Sequence, residues 1–255
     1  MKKLFTISGL ATAAALAWAG SANAADMPVK ALPPPPAVYD WSGLYVGAHT
    51  GWLFATVQDN VTGGFVQSES TVDNGIIGFH AGFQKQFTGF GFGALVLGVE
   101  GGLNEPLKQN DVGNLTACAN PAFLCGIRNF HDNWYAGGRL GLGWNWGGGG
   151  WIFGGDYLLT VSGGWTASIF ERIDVNAAGV VNAGGGQSRA WHDGAYVGVG
   201  LEHVWAKGNL VDYITGVDWQ HQFYDSQGDR DANGVIHNLS ADVDIIRIRT
   251  TLKFK

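Results

Sequence analysis

Basic residues are scarce in this chain of 255. Its 15 lysines and arginines stand against 21 aspartates and glutamates, a formal net charge of −6. Nucleic acid is held through clustered Lys and Arg, and with no such cluster here that class of partner is excluded. Charge of either sign is thin, at 14% of residues, while hydrophobic residues make up 46%. Long apolar runs are nevertheless missing: after residue 24 nothing approaches the roughly 18 apolar residues in a row that a membrane-spanning helix requires. The 41 glycines follow no triplet, which excludes collagen and suits tight turns and a crowded interior.

The one apolar run stands at the start. Lys2 and Lys3 precede an apolar stretch from Leu4 to Ala19, and Ala22-Asn23-Ala24 is a small-x-small cleavage site. Residues 1–24 therefore read as a secretory signal peptide, removed before Ala25. Removal takes the charge to −8, from 13 basic and 21 acidic residues, and leaves ten of the 11 tryptophans. An exported chain this apolar, with no spanning helix, has one other way to satisfy its backbone in lipid, which is a closed barrel. Residues 25–40 hold four consecutive prolines, Pro33 to Pro36, and read as an extended periplasmic lead.

The stretch from Trp134 to Trp165 has strict period two on both sides of four glycines. Trp134, Ala136, Leu140, Leu142, Trp144 and Trp146 share one face, and Tyr135, Gly137, Arg139, Gly141 and Gly143 the other. After the glycines, Trp151, Phe153, Tyr157, Leu159, Val161 and Trp165 alternate with small or polar residues. This is a β-hairpin, and a symmetric turn sets Trp146 opposite Trp151, Trp144 opposite Phe153 and Leu140 opposite Tyr157. Its bulky face ends in tryptophans while its small face carries the charge. That is the pattern of a transmembrane β-barrel, apolar outward and small or polar inward.

Six more segments alternate in the same way, near residues 41–54, 75–87, 92–103, 193–205, 210–224 and 242–254. The expected fold is all-β: an eight-stranded antiparallel up-and-down transmembrane β-barrel over residues 41–255. Connections alternate long and short, with long polar segments at 55–74, 104–133, 167–192 and 225–241. Both termini then lie on the short-turn, periplasmic side, and four loops face outward.

The Trp-Ser-Gly-Leu-Tyr-Val-Gly run at 41–47, Gly-Val-Glu-Gly at 98–101, Gly-Arg-Leu-Gly at 138–141 and a near-terminal Phe254 resemble one known family. Together with the signal peptide and proline-rich start, they are similar to the small outer-membrane barrels of the immunogenic-protein type, often labelled porin family, and to the OmpA membrane domain and OmpX. The resemblance implies an outer-membrane location, a lipid bilayer with lipopolysaccharide as surroundings, and Phe254 as the signal read by the barrel-assembly machinery, here followed by Lys255.

Eight strands enclose only enough room for side chains. The inward charges Glu100, Arg139, Asp156, Glu202, Asp218, Arg247 and Arg249, with His49 and His80, must therefore pair, since a lone buried ion is very unfavourable. In the proposed hairpin register Arg139 and Asp156 are diagonal neighbours. Cys118 and Cys125 lie in one polar loop of an exported chain; a local disulfide fits that setting, and two free thiols are the alternative. Asp229, Asp231 and Asn233 match the first half of a calcium loop, but Ser240 stands where the bidentate glutamate belongs. An acidic loop ending in an Asn-Gly turn explains them without a metal.

No cofactor is implied. His203 and His221 sit on outer faces without a matching serine and carboxylate, and His192 and Asp193 point to opposite faces, so no catalytic constellation forms. The expected protein is a non-enzymatic outer-membrane barrel, structural in the envelope or interacting through its four loops, with a lumen plugged by charged side chains. A narrow diffusion channel is the alternative, and a lipid-modifying enzyme the third reading.

Overall fold

The computed structural model describes residues 39–61, 67–89, 93–108, 116–117, 123–147, 154–176, 188–230 and 236–255. The expected signal peptide at 1–24, most of the expected proline-rich lead, Cys118, Asp231 and Asn233 lie outside the described residues. Eight long strands follow one another: β1 (Gly43–Val61), β2 (Gln67–Phe87), β3 (Ala94–Pro106), β4 (Phe123–Trp146), β5 (Gly155–Asn176), β6 (Ser188–Lys207), β7 (Val211–Arg230) and β8 (Ile236–Phe254). A two-residue strand, Thr116–Ala117, pairs beside Cys125 and Leu124 at the start of β4. Each long strand pairs antiparallel with its sequence neighbours, and β8 pairs with β1, so the ring is closed.

The registers fix the size of that ring. From Gly47 the pairing passes to His80, Gly102, Tyr135, Thr166, Gly194, Tyr224 and Ala241, and returns to β1 at Val57. The walk ends ten residues beyond its start, which is a shear number of ten. With eight strands this gives a tilt of roughly 40° and a backbone radius of about 8 Å, so inward side chains meet across the middle.

Outward, the half nearest the termini carries a belt of exposed apolar residues. Leu44, Val46, Trp52 and Phe54 belong to it on β1, Val197, Val199 and Leu201 on β6, and Ile246 and Ile248 on β8. Aromatic residues edge it, with Trp146, Trp205 and Phe254 at the near mouth and Trp134, Trp165 and Trp219 farther up. About 9–11 tilted residues cross a bilayer, yet seven of the strands run to 19–24 residues. The wall therefore continues well past the belt.

That continuation corrects the expected loops. Most of 55–74 and 225–241 is strand, leaving only 62–66 and 231–235 as connections, and β5 and β6 take in much of 167–192. The cause is a change of phase. Beyond the belt the apolar residues turn inward: Leu53, Ala55 and Val57 on β1, Ile127 and Phe130 on β4, Leu239, Val243 and Ile245 on β8 are all buried. Water now bathes the outside of the wall, so burial requires the inside.

A second correction concerns the β4–β5 hairpin. Trp146 faces Gly155, Trp144 faces Tyr157 and Leu140 faces Val161, four residues away from the symmetric register. An even shift keeps every side chain on its expected face. Gly155 takes φ of +122°, open to glycine, where the chain enters β5. Trp144 then stacks on Tyr157, centroids 5.8 Å apart and planes within 19°.

Inside, layers follow one another. Tyr39 and Trp41, ahead of β1, fold into the near mouth against Val96, Leu158, Val204 and Ile214. Tyr39 thus belongs with the barrel and not with the lead. Above them lie the ionic layer, a layer of histidines and amides, and a large apolar core around Phe130, Phe170, Ile76 and Leu239. Phe170 is fully buried, edge-on to Phe130 and Tyr224 and stacked on His192 at 4.2 Å. Phe170→Ala should lower unfolding free energy by about 3–5 kcal/mol, measured by denaturant titration of the detergent-folded barrel. A loss under about 1 kcal/mol, the size of a conservative core swap, would show that this core does not hold the far half together.

Candidate functional site

The ionic layer is built from alternate residues of five strands. Arg139 of β4 reaches Glu100 of β3 at 3.0 Å and Glu202 of β6 at 2.8 Å. Arg249 of β8 grips Glu100 with both terminal nitrogens, at 3.0 and 2.6 Å. Arg247 of β8 donates to Asp218 Oδ2 through Nε at 2.9 Å and Nη2 at 2.5 Å, the two residues being direct cross-strand partners. Three guanidiniums thus meet three carboxylates, all with side chains at most 10% exposed. Each charge has a partner, as the low dielectric of a filled lumen demands.

Asp156 is the exception among the residues expected there. The four-residue shift sets Ser162 opposite Arg139 and Asn145 opposite Asp156. Asp156 sits instead at the near mouth, accepting from Lys207 Nζ at 2.6 Å and Asn145 Nδ2 at 2.8 Å. Beside it Tyr39 Oη donates to Asp212 at 2.6 Å, and the Lys207 and Lys253 ammonium groups lie 5.3 and 5.0 Å from the Tyr39 ring centroid. His49 and His80 stack at 5.5 Å just beyond the ionic layer, with Asn104 and Thr251 on their outer nitrogens.

Several members of the lumen were not singled out from sequence. Tyr45 Oη donates to Glu100 and accepts from Arg139, both at 2.9 Å. The Arg247 guanidinium lies 4.7 Å from the centre of the Tyr135 ring. Asn104, Asn133, Gln222 and Tyr224 form an amide ladder across the barrel. Tyr45 and Tyr135 stood at inward positions of the period-two pattern, so face placement alone could have marked them. Asp59 and Arg172 could not be found so, because their segments carry the inverted phase.

At the far mouth Arg172 Nε donates to Asp59 at 2.9 Å, Arg172 Nη2 meets Asp174 at 3.0 Å, and His237 Nδ1 lies 3.0 Å from Asp59. Burial opposes the Asp59 charge, but the His237 hydrogen bond and the Arg172 charge outweigh it and hold the carboxyl below the ordinary aspartate range. Asp229, from the calcium-like stretch, is buried and taken by Ser188 Oγ at 3.3 Å and His192 Nε2 at 3.5 Å. Among the described residues no group of three or more His, Cys, Asp or Glu is placed to hold a metal ion. Of the two cysteines, only the backbone of Cys125 lies among the described residues, opposite Asp174.

On the outer wall His221 Nδ1 lies 2.9 Å from Asp244 Oδ1, which also accepts from Trp219 Nε1 at 2.9 Å. The residue paired with His221 on β6 is Val197, so no hydroxyl adjoins it there. His203 packs on Tyr157 at 4.7 Å. His192 is fully buried, while Asp193 is on the outside and accepts from Trp165 Nε1 at 3.2 Å. Phe254 closes β8 on the outer face, and Lys255 beyond it bonds Leu210 O through its backbone and Asp212 through Nζ at 3.2 Å.

Comparison with protein-family models and with curated proteins gives no match. Among solved structures, the fold is similar to Neisserial surface protein A, at 14% identity over 82% of this chain and 96% of that one, with a TM-score of 0.32. It is also similar to the CymD monoaromatic hydrocarbon channel, at 9% identity over 82% and 88%, TM-score 0.28. A third is a Pseudomonas aeruginosa FadL homologue, at 7% identity over 84% and 91%, TM-score 0.25. At these identities none of them assigns a residue, a ligand or a role to this chain.

Two outcomes follow from the geometry. Arg139→Ala leaves Glu202 only Arg249 Nη2 at 4.0 Å and weakens the hold on Glu100, and should reduce unfolding free energy by about 3–5 kcal/mol. Lys207→Ala, which removes a half-exposed partner of Asp156, should change it by less than about 1 kcal/mol. Equal effects in denaturant titrations would show that the layer is not electrostatically coupled. Asp59, with a folded pKa below its unfolded one, contributes stability above about pH 4, the unfolded aspartate range. That contribution is lost as pH falls through the folded value. The unfolding midpoint should decline as pH falls below about 4, and Asp59→Asn should make the decline in that range shallower. An acid limb unchanged in the variant would remove Asp59 from this role.

Proposed function

We propose that this protein is an integral outer-membrane β-barrel that does not conduct, and that its role is structural in the envelope or exercised through its outward mouth. The observation that carries the reading is the layered filling of the lumen. An apolar cap, a charge-balanced ionic layer, an amide ladder and an apolar core stand in series, and a barrel of about 8 Å backbone radius leaves no passage around them. The apolar belt with aromatic edges supports the bilayer, and the export signal supports the outer membrane as the destination.

In this reading the near mouth, with both ends of the barrel and the connections at 88–93, 147–154 and 208–210, faces the periplasm. The far half of the wall stands clear of the outer leaflet, as a rigid closed tower. The connections at its tip, together with the segments 55–74, 104–133, 167–192 and 225–241 that build it, are where an extracellular ligand or lipopolysaccharide would be met. Phe254, outward at the end of β8, is placed to be read during assembly, and no catalytic role is assigned to any residue. The test is conductance of the folded mature protein in a planar bilayer. Silence is expected from wild type and from Glu100→Gln alike. Reproducible discrete steps, altered by Glu100→Gln, would establish a narrow solute channel instead.

A further inference from the structure

The ionic layer is filled unevenly. Toward β1 to β4, Tyr45 and Tyr135 occupy the space, whereas toward β5 to β7 the small residues Thr160, Ser162 and Gly200 line the wall beside Tyr196. A small enclosed cavity remains there, with about 10 Å³ of free space, bordered by Asp218, Gln220 and Arg249. Each of these three side chains turns a buried polar atom to no protein partner: Asp218 Oδ1, Gln220 Nε2 and Arg249 Nε. Gln220 is 1% exposed and Arg249 6%. Asp218 Oδ1 and Arg249 Nε lie 3.9 Å apart, beyond a hydrogen bond.

Of the six buried polar side-chain atoms without a protein partner among the described residues, three meet on this one cavity, and leaving each unpaired is costly. Two are donors and one an acceptor. A species that satisfies them must accept twice and donate at least once. It must also be neutral, because an anion would face the Asp218 carboxylate and a cation the Arg247 and Arg249 guanidiniums. The free space is about that of one water molecule.

We propose that the barrel binds a single structural water at this point, accepting from Arg249 Nε–H and Gln220 Nε2–H and donating to Asp218 Oδ1. The water joins the Arg247–Asp218 pair to the Arg249–Glu100–Arg139–Glu202 chain, so that the six charged side chains form one unit. Gly200 keeps the place open, since a Cβ there would lie 2.9 Å from Thr160 Oγ1 and 3.1 Å from Asp218 Cβ. The site is closed to ions and too small for an organic solute.

The test is a high-resolution crystal structure of the whole mature protein, grown with bromide. Expected is one ordered water peak within hydrogen-bond reach of the three atoms and no anomalous signal there. An anomalous bromide peak would make it an anion site. An empty cavity, with Arg249 Nε closed directly onto Asp218 Oδ1, would show that no ligand is held. Either overturns the proposal. Gln220→Leu gives an independent sign. If Nε2 is bonded to water, the variant loses the water peak and its unfolding midpoint falls. If Nε2 is unpaired, removing it raises the midpoint. The proposal rests on the closed-lumen reading, and the two fail separately: discrete conductance would overturn that reading, whereas a dry cavity in a silent barrel would overturn the water alone.

Discussion

Eight strands and a shear of ten fix a narrow interior that side chains nearly fill. Every inward position is then under two demands at once, to fill a stated volume and to leave no charge or polar group unmatched. The arrangement of the lumen follows from satisfying both. In the ionic layer three arginines meet three carboxylates, each within 3.0 Å of a partner. Where amides enter, they form a ladder from wall to wall. Replacing such a layer by apolar residues can be neutral or stabilising in other proteins, so its presence here marks a position at which the chain retains polarity despite the desolvation penalty.

The abundance of glycine has the same origin. In a ring this narrow a large ring on one strand needs a vacant position on the next. Tyr135 lies over Gly102, its cross-strand partner, where a Cβ would come within 2.6 Å of the tyrosine oxygen. Tyr45 lies likewise over Gly82. In both pairs the glycine is the seat of the aromatic on the neighbouring strand.

Period two read from sequence located all eight strands, because in the belt lipid on one side and a polar lumen on the other make the two faces unlike. It also placed Glu100, Arg139, Glu202, Asp218, Arg247 and Arg249 inward, where they form one cluster. The far halves were read as loops because their alternation has the opposite sign. Scanned for apolar-out residues, Leu53, Val57, Ile127 and Val243 look like interruptions; scanned for apolar-in residues they are a core. The hairpin register was set four residues wrong, and with it the place of Asp156, because alternation fixes the face of a residue but not its height. Nothing in the local pattern of 147–154 says how wide the turn is. Asp156 shows the consequence: the right face at the wrong level exchanged its partner from Arg139 to Lys207.

The closures lie in series, and this bears on what could open them. A channel through a barrel of this kind must displace whatever blocks it, and in a single charge layer one change of partner would suffice. Here a shift of Arg139 between Glu100 and Glu202 leaves Trp41 and Tyr39 across the near mouth and Phe130 and Phe170 across the far half. Those aromatics are held by separate contacts, Tyr39 on Trp41 and Phe170 on Phe130 and Tyr224. Opening would therefore require the cap before β1 to withdraw and the far core to separate at once, which amounts to unfolding part of the barrel. Closure in separate layers is the property that the proposal of a non-conducting barrel rests on.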